Sequence, residues 1–297
     1  MLSLLRLQAA ANLLPPVLRG MLWMAGAGLT FTFLNTSMRV LTTQMDPFQT
    51  QFMRYFCGLL VMLPFVARAG LAAYAPNGLS GQIWRGAVHT AGLVVWFIAL
   101  PHVPMADMTA IGFTAPIFVM IGAVIFLGEK ITWARWLAAA IGFLGVVVVV
   151  GPAQGGSLYY QLMMLLSSPL FAASFLITKA LSRRDKAEVI VVWQSITVTL
   201  FSLPLALLHW TWPSLWQWAA FMVCGALGSA GHYCMTRAFR SADISATQPV
   251  KFLDLLWTSA AGFLVFGDVP GPWTIAGAAV IFASTTWLAR RESRART

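Results

Sequence analysis

Lys251 and Asp254 stand three residues apart in an apolar stretch of the C-terminal half, and Trp257 follows after three more. Residues spaced i, i+3 and i+6 share one face of a helix. On that face the lysine could attract a carboxylate, the aspartate could bind an amine or carry a proton, and the indole could stack on a ring. The plainer reading is an internal ion pair that lowers its own cost of burial. Both readings turn the face inward, because a charge at mid-membrane costs roughly 2.5–3.5 kcal/mol on insertion scales.

Other residues invite the same question. Arg54 lies about six residues into an apolar run and could contact a ligand, or snorkel and bond backbone carbonyls. His89 and His232 could relay protons or serve as hydrogen-bonded packing residues. Trp96 and Trp193 are candidates for the cavity of Trp257, whereas Trp84, Trp133, Trp210, Trp212, Trp216 and Trp273 fall near span ends as an interfacial belt does. Asp107 and Asp243 precede Thr109 and Ser245 and suit helix N-caps, and Glu129 beside Lys130 suits a gate or a surface pair. Gly225, Gly228 and Gly231 would let one helix approach a neighbour closely, or flex.

The chain carries no G-x-x-x-x-G-K-[ST] phosphate loop and no His/Cys cluster with metal-ligand spacing, so neither nucleotide hydrolysis by that route nor a metal is expected. No cofactor is expected either. Gly228-Ser229-Ala230-Gly231-His232 offers a serine without a well-placed base, and the short loops hold no reactive cluster, so an enzyme is not expected.

The elements that position these residues follow from composition. Charged residues make up 9% of the 297, against about 25% in a typical soluble domain, and apolar residues 59%. The apolar runs are about 20 residues long, which selects membrane-spanning helices over a barrel. Cys57, Cys224 and Cys234 fall within them as small packing residues. The pattern gives an all-α membrane protein of ten spans, near 20–42, 48–67, 84–101, 105–127, 133–151, 158–181, 188–208, 215–237, 243–266 and 273–290. With the N-terminus inside and its first segment retained, 16 of the 19 basic residues fall at cytoplasmic ends and both termini are cytoplasmic. The net charge of +10 is then topology, and no nucleic-acid partner is implied.

One stretch occurs twice. Asp107 to Glu129 and Asp243 to Asp268 are both apolar runs with an acid at each end. Arg39-Val40-Leu41 is echoed by Lys179-Ala180-Leu181, and Leu63-Pro64 by Leu203-Pro204. Five spans in 1–151 and five in 157–297 make the second repeat enter the membrane inverted, a recurring transporter architecture.

The five-plus-five spans, Gly128-Glu129 closing the fourth before Trp133, and Pro64 in the second resemble the drug/metabolite transporter superfamily, EamA type. Within it the chain looks most similar to YddG-type exporters of aromatic and other neutral amino acids. The second half departs from the pattern, with Gly267-Asp268 for Gly-Glu and Pro249 nearer the start of its span than Pro116. The resemblance implies alternating-access export of amino acids or similar small metabolites across a bacterial-type inner membrane. A multidrug or lipophilic-cation exporter is the alternative on the same fold. Partners are then a small molecule and the bilayer, with monomer or homodimer left open.

Overall fold

A chain in lipid must satisfy its backbone polar groups within each segment, and the computed structural model does so with helices alone among the described residues. Those are 14–42, 44–99, 111–112, 114–150, 158–266 and 272–294. Ten long helical segments follow one another: α1 (Pro16–Thr42), α2 (Pro47–Ala69), α3 (Leu79–Ala99), α4 (Ala115–Leu127), α5 (Trp133–Val150), α6 (Leu158–Leu181), α7 (Ala187–Ala206), α8 (Leu215–Ser241), α9 (244–266) and α10 (Pro272–Arg294). Four described stretches, in α1, α2, α6 and α7, are long and apolar enough to cross a membrane by themselves. Residues 105–110 and 113 of the expected fourth span, with Asp107, lie outside the described residues, as does Asp268.

Local sequence sets the helix starts. Asp46 precedes Pro47 and accepts from the N–H groups of Phe48 (2.9 Å) and Gln49 (3.1 Å). Ser214 and Gln217 form a capping box on α8. At the other end of α8, the carbonyls of Phe239 and Ala242 accept from Lys179 of α6.

The principal packing pairs obey an exchange of α1–α5 with α6–α10. The α1·α8 contact matches α6·α3, α8·α2 matches α3·α7, and α4·α6 matches α9·α1, while α2·α7 and α5·α10 map onto themselves. The halves therefore interleave. Small residues bring them close: a β-carbon on Gly225 of α8 would lie 2.4 Å from the backbone nitrogen of Gly58 on α2, and one on Gly231 would lie 2.8 Å from the Phe31 ring. The outward surface carries exposed Phe33, Phe65, Phe126, Leu200 and Phe282, as a lipid-facing surface should.

Two sequence expectations need correction. The ninth span is not one α-helix: Ile244–Thr247 is α-helical, Gln248–Leu253 is 3-10, Asp254–Ala261 is α-helical again, and Gly262–Phe266 is a π turn. Pro249 supplies the physical reason, since it has no N–H and its ring clashes with the carbonyl four residues back. The third helix begins at Leu79 rather than near 84, so Arg85 lies a turn and a half inside it instead of at the cytoplasmic end.

Candidate functional site

The tightened turn in α9 matters for the Lys251–Asp254 couple, because residues i and i+3 eclipse in a 3-10 helix. Lys251 Nζ lies 3.9 Å from Asp254 Oδ2, an ion pair too long for a hydrogen bond. The two side chains are 20% and 24% exposed. Lys251 Nζ also sits 5.4 Å from the centroid of Phe175 on α6. Asp254 presses on α1 at Gly28, where a β-carbon would lie 1.8 Å from Oδ1. The couple thus faces neighbouring helices of both halves. Trp257 follows on the same segment, partly buried, with Nε1 lacking a hydrogen-bond partner.

A second polar centre lies between α2, α3, α6, α7 and α8. The hydroxyl of Tyr55 is 2.9 Å from His89 Nε2 and 3.4 Å from His232 Nε2. His89 Nδ1 is 3.2 Å from Ser174 Oγ. Arg85, 1% exposed, donates to Thr178 Oγ1 (2.5 Å), to the carbonyl of Ile190 (2.9 Å) and to Gln194 Oε1. That last bond fixes the amide of Gln194, whose Nε2 then donates to His232 Nε2 at 3.3 Å. An Nε2 that accepts leaves the proton of neutral His232 on Nδ1, a buried atom with no partner. Arg54 stacks over the Tyr55 ring at 4.8 Å, and its Nε is likewise buried and unpartnered. A cavity lined by Arg54, Tyr55, Ser195, Ser229 and His232 opens beside them.

The sequence candidates therefore divide between two centres. Lys251, Asp254 and Trp257 form one, and Arg54, His89 and His232 belong to the other. Trp96 reaches the second centre through Phe171, which packs against both Trp96 (6.4 Å) and His89 (5.4 Å). Trp193 stands apart, donating Nε1–H to the carbonyl of Tyr74 at 2.9 Å. Helix α1 touches both centres, with Gly28 against Asp254 and Phe31 edge-on to His232 at 5.0 Å.

Sequence reasoning missed Tyr55, Ser174, Gln194 and Arg85 as members of this network. For Tyr55, Ser174 and Gln194 the available signal was a polar residue placed mid-span; Arg85 carried none, since it reads as an end-of-span charge. Asp243 occupies the N-cap position of α9 but accepts no cap bond; it pairs with Arg135 at 3.2 Å. The cap comes from Glu129, whose Oε1 accepts from Ile244 N (2.9 Å) and whose Oε2 accepts from Ser245 N (3.2 Å) and Ser245 Oγ (2.7 Å). Among the described residues no group of His, Cys, Asp and Glu is placed to hold a metal.

A duplicated bundle of membrane helices with polar centres buried where its halves meet is the architecture of a small-molecule transporter. The EamA-like transporter family matches residues 18–151 and again 158–290, and the chain belongs to that family. It is thus a multi-pass membrane transporter of small metabolites rather than an enzyme. A riboflavin transporter of Rhizobium johnstonii is 34% identical over 93% of this chain and 92% of its own. An S-adenosylmethionine uptake transporter of Rickettsia prowazekii is 28% identical over 93% and 94%. The pseudopaline exporter CntI of Pseudomonas aeruginosa is 26% identical over 91% and 96%. A crystal structure aligns with a TM-score of 0.74 at 17% identity, covering 90% of this chain and 98% of that one, which shows the shared fold.

Proposed function

We propose that the chain is a secondary transporter whose cargo carries a flat heteroaromatic ring, with riboflavin the first candidate. The observation that carries this reading is the 34% identity with a riboflavin transporter along nearly the whole of both chains. The polar, ring-rich interior is compatible with it: Tyr55, His89, His232 and Phe171 supply both flat faces and hydrogen-bonding edges. The free space beside Tyr55 is about 10 Å3, room for about one water and far below the roughly 300–1,000 Å3 usual for ligand pockets, so cargo entry requires the halves to part.

The halves, 1–151 and 157–297, are inverted repeats that rock about each other in a bacterial plasma membrane with both termini cytoplasmic. The odd helix count per half, the two-fold exchange of helix contacts and the basic residues at alternate ends support that orientation. Accumulation of radiolabelled riboflavin by proteoliposomes, with and without a pH gradient, tests the cargo. Uptake no greater than in protein-free vesicles rejects it.

A second reading is export of aromatic or other neutral amino acids, and the Lys251–Asp254 couple favours it. Set apart by 3.9 Å and partly exposed, the two charges complement the carboxylate and ammonium of a zwitterion, with Trp257 along the same segment. On this reading Lys251→Ala lowers tryptophan or phenylalanine flux about tenfold or more while insertion is normal. Unchanged flux removes Lys251 from the site. A quaternary ammonium competitor in the same assay separates a lipophilic-cation exporter, which would use Asp254 instead.

A further inference from the structure

We infer that the cavity beside Tyr55 is an anion site, taking a small monoanion, a carboxylate or a halide, against Arg54. The starting point is a charge imbalance. Helices α1, α2, α3, α6, α7 and α8 contain between them a single acidic residue, the exposed Glu188 in the first turn of α7. Two arginines nevertheless lie in the interior of this group. Arg85 is fully buried, and among the described residues its acceptors are neutral. Arg54 lines the cavity, stacked on Tyr55, with Nε buried and unpartnered. The one acid on the neighbouring α9 segment, Asp254, is engaged with Lys251 and packed on Gly28.

An arginine held at membrane depth costs roughly 2.5–3.5 kcal/mol even on the mildest scale, and proteins normally offset this with a carboxylate or with carbonyls. Among the described residues no carboxylate lines this cavity. What does line it are donors. His232 is one lining residue, its Nδ1–H buried and unpaired by the tautomer that Gln194 imposes, and Ser195 and Ser229 line the same cavity. Gly228 keeps the approach open, since a β-carbon there would come within 3.3 Å of Arg54 Nε. A permanent cation, a ring N–H and two hydroxyls around a small space form an anion receptor in which the counter-charge is a ligand.

The monoanion has two possible sources, a carboxylate on the transported molecule or a free inorganic ion that accompanies it. Neither depends on which cargo is carried, so the test stands apart from the riboflavin assay. The full-length protein in detergent is titrated with sodium chloride or sodium acetate at constant ionic strength, with gluconate as the bulky balancing anion. Thermal midpoint and tryptophan fluorescence are read. A saturable response is expected, weakened about tenfold or more in Arg54→Gln and largely kept in Arg54→Lys. A response to acetate and not to chloride identifies a carboxylate subsite. A response to chloride, with radiolabelled chloride entering proteoliposomes, identifies an inorganic co-ion. No saturable response in the unaltered protein, or the same response in Arg54→Gln, overturns the proposal. The first of these outcomes does not require any variant to fold.

Discussion

Glu129 caps a helix to which it does not belong. It closes α4 in the first half of the chain, yet its carboxylate takes the N–H groups of Ile244 and Ser245 and the hydroxyl of Ser245, which open α9 in the second. Arg135 completes the junction, donating to Ser245 Oγ at 3.0 Å and to Asp243 at 3.2 Å. Two segments that hold corresponding places in the two repeats are thus tied end to end by one carboxylate.

Removing that tie should loosen this end of the molecule. Glu129→Ala leaves two backbone donors and a hydroxyl to find water, and we expect a loss of about 1–2 kcal/mol. Glu129→Gln keeps one acceptor and should fall between it and the unaltered protein. The order of the three thermal midpoints in detergent checks this; equal midpoints would show that water replaces the carboxylate without cost.

Gly28 and Asp254 should behave as a coupled pair. A methyl group at Gly28 would occupy the position of Asp254 Oδ1, so Gly28→Ala should destabilise by roughly 1–3 kcal/mol through overpacking. Shortening Asp254 to Ala vacates the space, and the double variant should recover most of that loss. A double-mutant cycle from thermal unfolding should give a coupling of at least about 1 kcal/mol. Additive effects would mean that the aspartate turns away from α1 at no cost.

The α2–α8 crossing rests on backbone contact. Gly225→Ala would set its methyl 2.4 Å from Gly58 N, where only backbone could give way. A fall in folded yield and a loss of about 1–3 kcal/mol are expected. At Gly26 in α1 an added methyl group would meet nothing within 4 Å, so Gly26→Ala should be neutral or gain up to about 1 kcal/mol from helix propensity. Size-exclusion profiles and midpoints of the two variants, compared side by side, settle whether close approach or helix propensity governs these glycines.

Tyr55→Phe removes the hydroxyl between His89 and His232 and keeps the ring on which Arg54 rests. The imidazole of His89 then loses its nearest partner, and a cost of about 1–3 kcal/mol follows for a buried group left unsatisfied. Chloride or acetate binding should survive the change, since the cation and its aromatic support are intact. Loss of that binding in Tyr55→Phe would assign the hydroxyl, rather than Arg54, to the anion.

Much of the bundle is legible along the chain. Spacing alone places Lys251 and Asp254 together, and Arg54, His89 and His232 stand out by lying too deep for solvated groups. Other assignments fail for identifiable reasons. Arg85 reads as an end-of-span charge because hydropathy starts α3 five residues late, and Trp193 reads as a cavity residue until its indole meets the Tyr74 carbonyl. The Asp243 cap fails because a better placed carboxylate lies more than a hundred residues earlier in the chain.

Hydropathy and helical spacing are local properties, carried by each segment whatever surrounds it. For that reason the amino-acid sequence by itself determined that this protein is a ten-segment membrane bundle built from a doubled unit, with a lysine and an aspartate on one face. Contacts between segments depend on how far each helix is rotated about its axis and on which neighbour it meets. Only the tertiary structure could decide that Glu129 caps the start of α9, that Gln194 joins Arg85 to His232, and that Arg54 faces a cavity with no acid among its described lining residues.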